Sequence, residues 1–314
     1  KGGWAFGSEI KALLEIPEID RKNIDFEALG AYLALNYTPA PYTLFSQIRQ
    51  LQPGHYLLIH NREDTVEDVE YWDLTFAQGS GMTEKSWLSE FDTVMERIVR
   101  QHLVCDVPFG AFLSGGLDSS SLVWWMSQSC RHPVRSFSIS FAEDGFDESG
   151  HAKRVADSVE SIHQEYCVKP DAVSVLPKIV WHAEEPTADS SMLAVYYLSA
   201  MARRNVTMVL SGDGADEIFG GYETYPAYYV LKTFQAMPNM VRSLAEYFAL
   251  RMFPVSHRKL GMDFKLRRFF AGAHMMPEDA HGFWRQIFTA EARQELLSPA
   301  VIAAGGGCEV VDMY

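Results

Sequence analysis

Apolar positions change their period along the chain. Between Trp4 and Ile59 short elements follow one another: a strand-like opening at Trp4 runs into a helix over Glu9 to Leu14. A second helix covers Phe26 to Leu35, and His55 to His60 reads as a strand after the turn Gln52-Pro53-Gly54. Thr75 to Thr83, TFAQGSGMT, breaks the pattern with glycines among small polar residues, the composition of a linker. Beyond it Trp87, Leu88, Phe91, Val94, Met95, Ile98 and Val99 recur at helical spacing within Glu84 to Leu103.

From there the elements alternate. A strand at Phe109 to Leu113 precedes a helix at Ser119 to Gln128. A strand at Val134 to Phe141 precedes a helix at Glu148 to Val159. A further helix, Met192 to Arg203, leads to a strand at Val206 to Leu210. Strands separated by helical stretches of this length predict an α/β fold, a parallel sheet with helices on both faces. After Tyr222 the chain becomes aromatic and helical, and no internal repeat or low-complexity tract is present.

Composition narrows the possible partners. With 314 residues, 47% of them hydrophobic, the chain can bury a large core and hold more than one domain. A formal charge of -14 argues against nucleic acid or anionic membrane as a partner, since both reward clustered Lys and Arg. The short basic run Lys265-Leu266-Arg267-Arg268 reads as a solvated helix face. No membrane-length apolar run or secretory leader is recognisable, so the cytoplasm is the expected location. Cys105, Cys130, Cys167 and Cys308 lack paired spacing and encode neither a zinc site nor a disulfide framework; buried thiols are expected. A first residue that is not Met, and the abrupt ending GGGCEVVDMY, suggest a piece of a longer protein.

Chemistry concentrates in two stretches. Ala111 to Ser120, AFLSGGLDSS, sits where a strand gives way to a helix, the place where such folds hold ligands. Gly115 and Gly116 let the backbone approach an anion, and the helix start aims unpaired N–H groups at it. A Walker loop would carry a lysine for the outer phosphates, and here Asp118 stands in the loop instead. An acid beside polyphosphate is reasonable only with a divalent cation between them. The loop therefore reads as a cradle for a magnesium pyrophosphate, leaving the α-phosphorus open to attack, which points to adenylation. Met208 to Tyr222, MVLSGDGADEIFGGY, repeats the logic with Asp213, Asp216 and Glu217. Carboxylates crowded after a buried strand are costly unless a cation shares the site. If the two loops follow neighbouring strands, Asp118 and Asp216 are the pair expected to share one magnesium ion.

These stretches carry a resemblance. SGGLDSS resembles the pyrophosphate-binding motif of the ATP-pyrophosphatase superfamily. Together with LSGDGADEIFGGY, FGSEIKALL and LQPGHYL it is similar to the glutamine-hydrolysing asparagine synthetases, over nearly the whole chain and in family order. The resemblance implies a two-site enzyme. An Ntn-hydrolase-type α+β glutaminase domain would release ammonia from glutamine with a first-residue cysteine, and a synthetase domain would form β-aspartyl-AMP from aspartate and ATP for ammonia to attack. It places the tail of the glutaminase domain at residues 1–74, a linker at 75–83 and an incomplete synthetase domain at 84–314. It is compatible with a homodimer. None of the four cysteines occupies the nucleophile's motif.

Carried across, the resemblance implies that Ser114, Gly115, Gly116, Asp118 and Ser119 bind pyrophosphate, with Asp118 and Asp216 on Mg2+. Phe112 and Ile139 would line the adenosine pocket, and Ser211 and Gly212 would touch nucleotide. Asp213 takes the place of an acid, often Glu, that assists ammonia; being one carbon shorter, it reaches less far. Tyr222 is expected near the same cavity, and the family's lysine near the α-phosphate would lie beyond Tyr314. His163 and Glu165 resemble a family strand beside the nucleotide and read as structural. Asp189, Ser190 and Ser191 either bind the acceptor or cap the following helix. Trp124, Trp125 and Met126 read as core packing. A relative adenylating another carboxylate, as β-lactam synthetases do, and a nucleotide-binding paralogue without turnover are the alternatives.

Overall fold

The computed structural model describes residues 3–60, 65–76, 81–141, 149–168, 171–252 and 261–307. The chain forms two compact units. One joins Lys1–Trp72, Ala183–Ala188 and Phe219–Tyr314; the other joins Asp73–His182 and Asp189–Ile218. No helix among the described residues is long and apolar enough to cross a membrane.

The first unit opens with α1 (Ile10–Leu13) and α2 (Phe26–Leu35). The carboxylate of Asp25 caps α2 by accepting from Ala28 N at 3.0 Å, and Asn36 ends it in the left-handed conformation at φ 70°. Next comes an antiparallel pair, β1 (His55–His60) and β2 (Thr65–Glu70). The strand expected at Trp4 does not form: Trp4 and Phe6 are 59% and 91% exposed, and no described strand pairs with them. A strand needs a ladder partner, which periodicity does not supply.

The second unit runs through α3 (Glu84–His102), β3 (Phe109–Phe112), α4 (Leu117–Ser129), β4 (Arg135–Phe141), α5 (Ser149–Ser158), β5 (Ile162–Val168), α6 (Ala172–Ala183), α7 (Ser191–Ala202), β6 (Met208–Leu210) and α8 (Ala215–Phe219). Among the described residues its four strands are parallel, in the order β5-β4-β3-β6. Alternation along β3 sends Ala111 to one face and Phe112 to the other. Ala111 and Leu113 pack with Val99, Val123, Met126 and Ala152, from α3, α4 and α5. Phe112 packs with Phe137, Met201 and Val206, on the side of α7. Both faces are therefore covered, as a parallel sheet requires. Residues 77–80, within the expected linker, Glu148 at the expected start of the fifth helix, and Cys308 lie outside the described residues.

Several boundaries moved for local reasons. The helix α4 starts at Leu117 because Gly116 takes the extended N-cap conformation, and this draws Asp118 into the first turn. The strand β6 starts later than expected because Val206 N still donates to Ala202 O at 2.9 Å, prolonging the turn after α7. The helix α6, which contains Pro177, is not among the elements expected from the sequence. The expectation of buried thiols fails: Cys105 and Cys130 are half-buried and Cys167, on the edge strand β5, is exposed.

The first unit resumes with α9 (Thr224–Gln235), α10 (Asn239–Met252), α11 (Met262–Gly272), α12 (Pro277–Arg285), α13 (Ala290–Leu296), α14 (Pro299–Val301) and a π turn at Ile302–Gly306. Leu231, Phe234, Phe270, Ala280 and Trp284 form its helical core. The helix α2 docks here closely: a Cβ on Gly30 would lie 2.6 Å from Gly306 O, and Ile287 N donates to Ala34 O at 2.7 Å. The basic run is less solvated than expected. Arg268 donates to Phe283 O at 3.1 Å and lies over that ring, and Lys265 pairs with Glu223. The stretch Ala183–Ala188 is tied into this unit by its acids. Glu184 accepts from Ile10 N at 2.7 Å and pairs with Lys11 Nζ at 2.8 Å. Glu185 accepts from Leu44 N at 2.7 Å and Gln50 Nε2 at 2.9 Å.

Candidate active site

The carboxyl ends of β3 and β6 open onto one cavity of about 510 Å³ within the second unit, inside the range of about 300–1,000 Å³ usual for ligand sites. Because β3 and β6 are hydrogen-bonded neighbours, with Ala111 opposite Leu210, the loops that follow them emerge side by side. Phe112, Ser114, Gly116, Asp118 and Ser119 line the cavity from the first loop, and Ser211, Gly212, Asp213 and Asp216 from the second. Ile139 lines it from β4.

The first loop is shaped by its own hydroxyls. Ser119 Oγ accepts from Ser114 N at 3.2 Å and lies 2.9 Å from Ser114 Oγ; Gly116 N donates to Ser114 Oγ at 3.2 Å. These bonds curl the chain into the start of α4, whose first-turn N–H groups have no intrahelical acceptor. That end of the helix favours an anion. Gly115 does not line the cavity. It holds φ +85°, and a Cβ there would lie 2.4 Å from Ala152 N and 2.6 Å from His151 Cβ, so it lets the loop press against α5. Gly212 makes the other close approach: a Cβ would meet Ser119 N at 3.0 Å and Asp118 Cβ at 3.1 Å. The second loop thus abuts the first where α4 begins.

Acid placement follows from this contact. Asp118 and Asp216 border the same cavity from adjacent loops, and Asp213 Oδ2 accepts from Ser211 Oγ at 2.8 Å. Among the described residues no group of three or more His, Cys, Asp or Glu could hold a metal by itself. A pair of carboxylates with phosphate oxygens and water completing the shell is the coordination magnesium favours, and this donor set fits it.

Other residues resolve differently. Asp189 precedes the N-cap Ser190 of α7 and its Oδ1 accepts from Ser191 N at 2.8 Å, while Ser191 lines the cavity. Trp125 and Met126 are core residues, whereas Trp124 is 47% exposed. Tyr222 belongs to the first unit, where its ring stacks on Tyr225 and carries the Arg285 guanidinium 4.4 Å from its centroid. The sequence reading missed the cavity's apolar wall, made by Ala194, Val195 and Leu198 of α7, and the hydroxyl of Ser138 on β4. With Ser191 the wall residues follow the i, i+3, i+4, i+7 spacing of one helix face, a signal that was legible without saying what the face would meet.

Comparison with known proteins now decides the family. The Asparagine synthase family matches residues 90–296, which hold the whole cavity, and the Glutamine amidotransferase domain matches residues 1–72. The chain belongs to the asparagine synthase family. The putative asparagine synthetase (glutamine-hydrolyzing) of Mycobacterium tuberculosis H37Rv is 35% identical over 248 residues, 77% of this chain and 38% of that protein. Asparagine synthetase (glutamine-hydrolyzing) 1 of Bacillus subtilis is 33% identical over 249 residues, 79% of this chain and 38% of that protein. The chain therefore spans well under half the length of these relatives. Among solved structures, the NH3-dependent NAD synthetase of Campylobacter jejuni aligns at a TM-score of 0.32 and 13% identity, over 68% of this chain and 90% of that one.

Proposed function

We propose that the protein amidates aspartate to asparagine, using ATP to form β-aspartyl-AMP and glutamine as the source of ammonia. The observation that carries this reading is the convergence of SGGLDSS and SGDGAD, from adjacent parallel strands, on one cavity bearing Asp118 and Asp216. Family membership supports the same chemistry. In linear order, residues 1–74 would be the end of the glutaminase domain and 84–314 the synthetase domain.

In this mechanism a carboxylate oxygen of aspartate attacks the α-phosphorus of ATP, the bond to the β-phosphate breaks, and pyrophosphate leaves. Ser114, Gly116, Ser119 and the N–H groups opening α4 hold the departing pyrophosphate and stabilise its growing charge. Asp118 and Asp216 would hold Mg2+, which supplies charge neutralisation on the phosphates. Phe112 and Ile139 flank the adenosine, and Ser211 and Gly212 close over the nucleotide. Ammonia then attacks the acyl carbon and AMP leaves. Asp213, oriented by its bond from Ser211, accepts the proton that the attacking nitrogen sheds. The apolar wall of α7 keeps water from the acyl-adenylate.

The test is product analysis on the full-length protein supplied with ATP, Mg2+, glutamine and aspartate. Equal yields of AMP, pyrophosphate and asparagine are expected, all dependent on aspartate. Pyrophosphate release that ignores aspartate but needs another carboxylic acid would reassign the acceptor. ATP binding without any pyrophosphate release would leave a nucleotide-binding paralogue.

A further inference from the structure

The register of β4 on the edge strand β5 builds a polar ladder beside the cavity. Across the parallel pair β4 and β5, Ser136 stands opposite His163 and Ser138 opposite Glu165, so their side chains share one face of the sheet. Ser136 and Ser138 are 0% and 3% exposed, where a hydroxyl needs a partner. His163 serves both: Nδ1 lies 2.8 Å from Ser136 Oγ, and Nε2 lies 3.1 Å from Ser138 Oγ. Ser136 Oγ also lies 2.8 Å from Ser161 Oγ. Of these residues Ser138 alone borders the cavity. Burial holds the imidazole below the usual histidine pKa, so it is neutral at pH 7 and offers one donor and one acceptor.

Sheet order says what would meet Ser138. The helix start of α4, with Asp118 and Asp216, gathers around β3 and β6, while β4 lies on the opposite side of β3. A nucleotide with its phosphates at that helix start extends the rest of itself over β4. Phe112, Ile139, Val195 and Leu198 line the same cavity from the α7 face of the sheet, opposite to the face Ser138 shares with Ala111, and offer apolar contact suited to a flat base rather than to an amino acid's charges. We propose that Ser138 accepts a hydrogen bond from the adenosine part of ATP, either the exocyclic amine or a ribose hydroxyl, and that His163 is its positioning residue. With Nδ1–H donated to Ser136, Nε2 accepts the Ser138 proton. The lone pairs of Ser138 are then turned toward the cavity. The inference rests on the adenylating reading, to which it adds a specificity contact.

The test uses the full-length protein with ATP and Mg2+, read by equilibrium binding and by KM and kcat for pyrophosphate release. Ser138→Ala is expected to weaken ATP binding about 3–10-fold, the range for one neutral hydrogen bond, with kcat within about twofold. That loss disappears with purine riboside triphosphate if the amine is the donor, or with 2′- or 3′-deoxy-ATP if a ribose hydroxyl is. Gln places a polar atom near Nε2 and Asn near Nδ1. Hence His163→Gln keeps the ATP KM, whereas His163→Asn raises it as Ser138→Ala does. Thermal midpoints separate folding damage from these effects. Unchanged ATP affinity in Ser138→Ala, a loss that persists with every analogue, or equal KM values in the two His163 variants overturns the proposal. A wild-type protein that binds no ATP removes the adenylating reading and this contact together.

Discussion

Alanine at Gly115 tests whether the SGGLDSS loop is held by α5. Gly115 and Gly214 both hold left-handed φ, +85° and +91°. For a residue with a Cβ this conformation costs about 1–2 kcal/mol, offset by about 0.4–1 kcal/mol from the stiffer unfolded chain. The surroundings differ. A Cβ on Gly115 would sit 2.4 Å from Ala152 N, 2.6 Å from His151 Cβ and 2.7 Å from His151 C, whereas nothing lies within 4 Å of one on Gly214. Two of those contacts are backbone atoms, so the loop or α5 must shift. Overpacking of this kind costs about 1–3 kcal/mol. Comparing the two alanine variants cancels strain and unfolded-state entropy, leaving the steric part. Gly115→Ala is expected to be less stable than Gly214→Ala by about 1–3 kcal/mol in denaturant unfolding. It should also raise the ATP KM, because the displaced loop carries Ser114 and Gly116. Equal stability of the two variants would refute close packing of the loop on α5.

Other outcomes follow from the site. Asp118→Asn and Asp216→Asn should each lower aspartate-dependent pyrophosphate release about 100-fold or more, since a metal ligand supplies several kcal/mol at the transition state; near-normal rates in either variant count against a shared magnesium ion. Asp213→Asn should preserve pyrophosphate release but lower the yield of asparagine per AMP, and an unchanged ratio removes Asp213 from the ammonia step. Burial, the largest influence on His163, holds its folded pKa below the ordinary 6.5 despite Glu165 and Asp157, which raise it, while Lys153 adds to the lowering. The unfolded chain therefore takes up the extra proton first, and the stability owed to the neutral imidazole, present above pH 6.5, is lost as pH falls toward the folded value. Thermal midpoints measured from neutral to mildly acidic pH should fall more in wild type than in His163→Gln; parallel curves would show that His163 is not responsible.

Much of the site was legible because its chemistry is local. In SGGLDSS the glycines, hydroxyls and acid act within a single turn, and their place after an apolar run already put them at a strand end. The expected Trp4 strand and the buried thiols failed for the opposite reason, since a ladder partner and a burial state both depend on distant chain. The helix α6, with Pro177 inside it, is not among the elements expected from periodicity. Glu184 and Glu185 shortly precede Asp189 to Ser191 in the chain. Their bonds to Ile10, Lys11, Leu44 and Gln50 bring a six-residue stretch into the first unit.

Sequence alone determined the parallel α/β pattern, the two glycine-bearing strand-to-helix loops and the acids they carry, because alternation, glycine and helix starts are properties of neighbours along the chain. Strand order belonged to the tertiary structure. Only pairing of β3 with β6 brings Asp118 and Asp216 to one cavity, and only the register of β4 on β5 joins Ser138 to His163. Hydrogen bonds between strands and the closeness that Gly115 and Gly212 permit are long-range contacts, and no local pattern encodes which partner the folded core will choose.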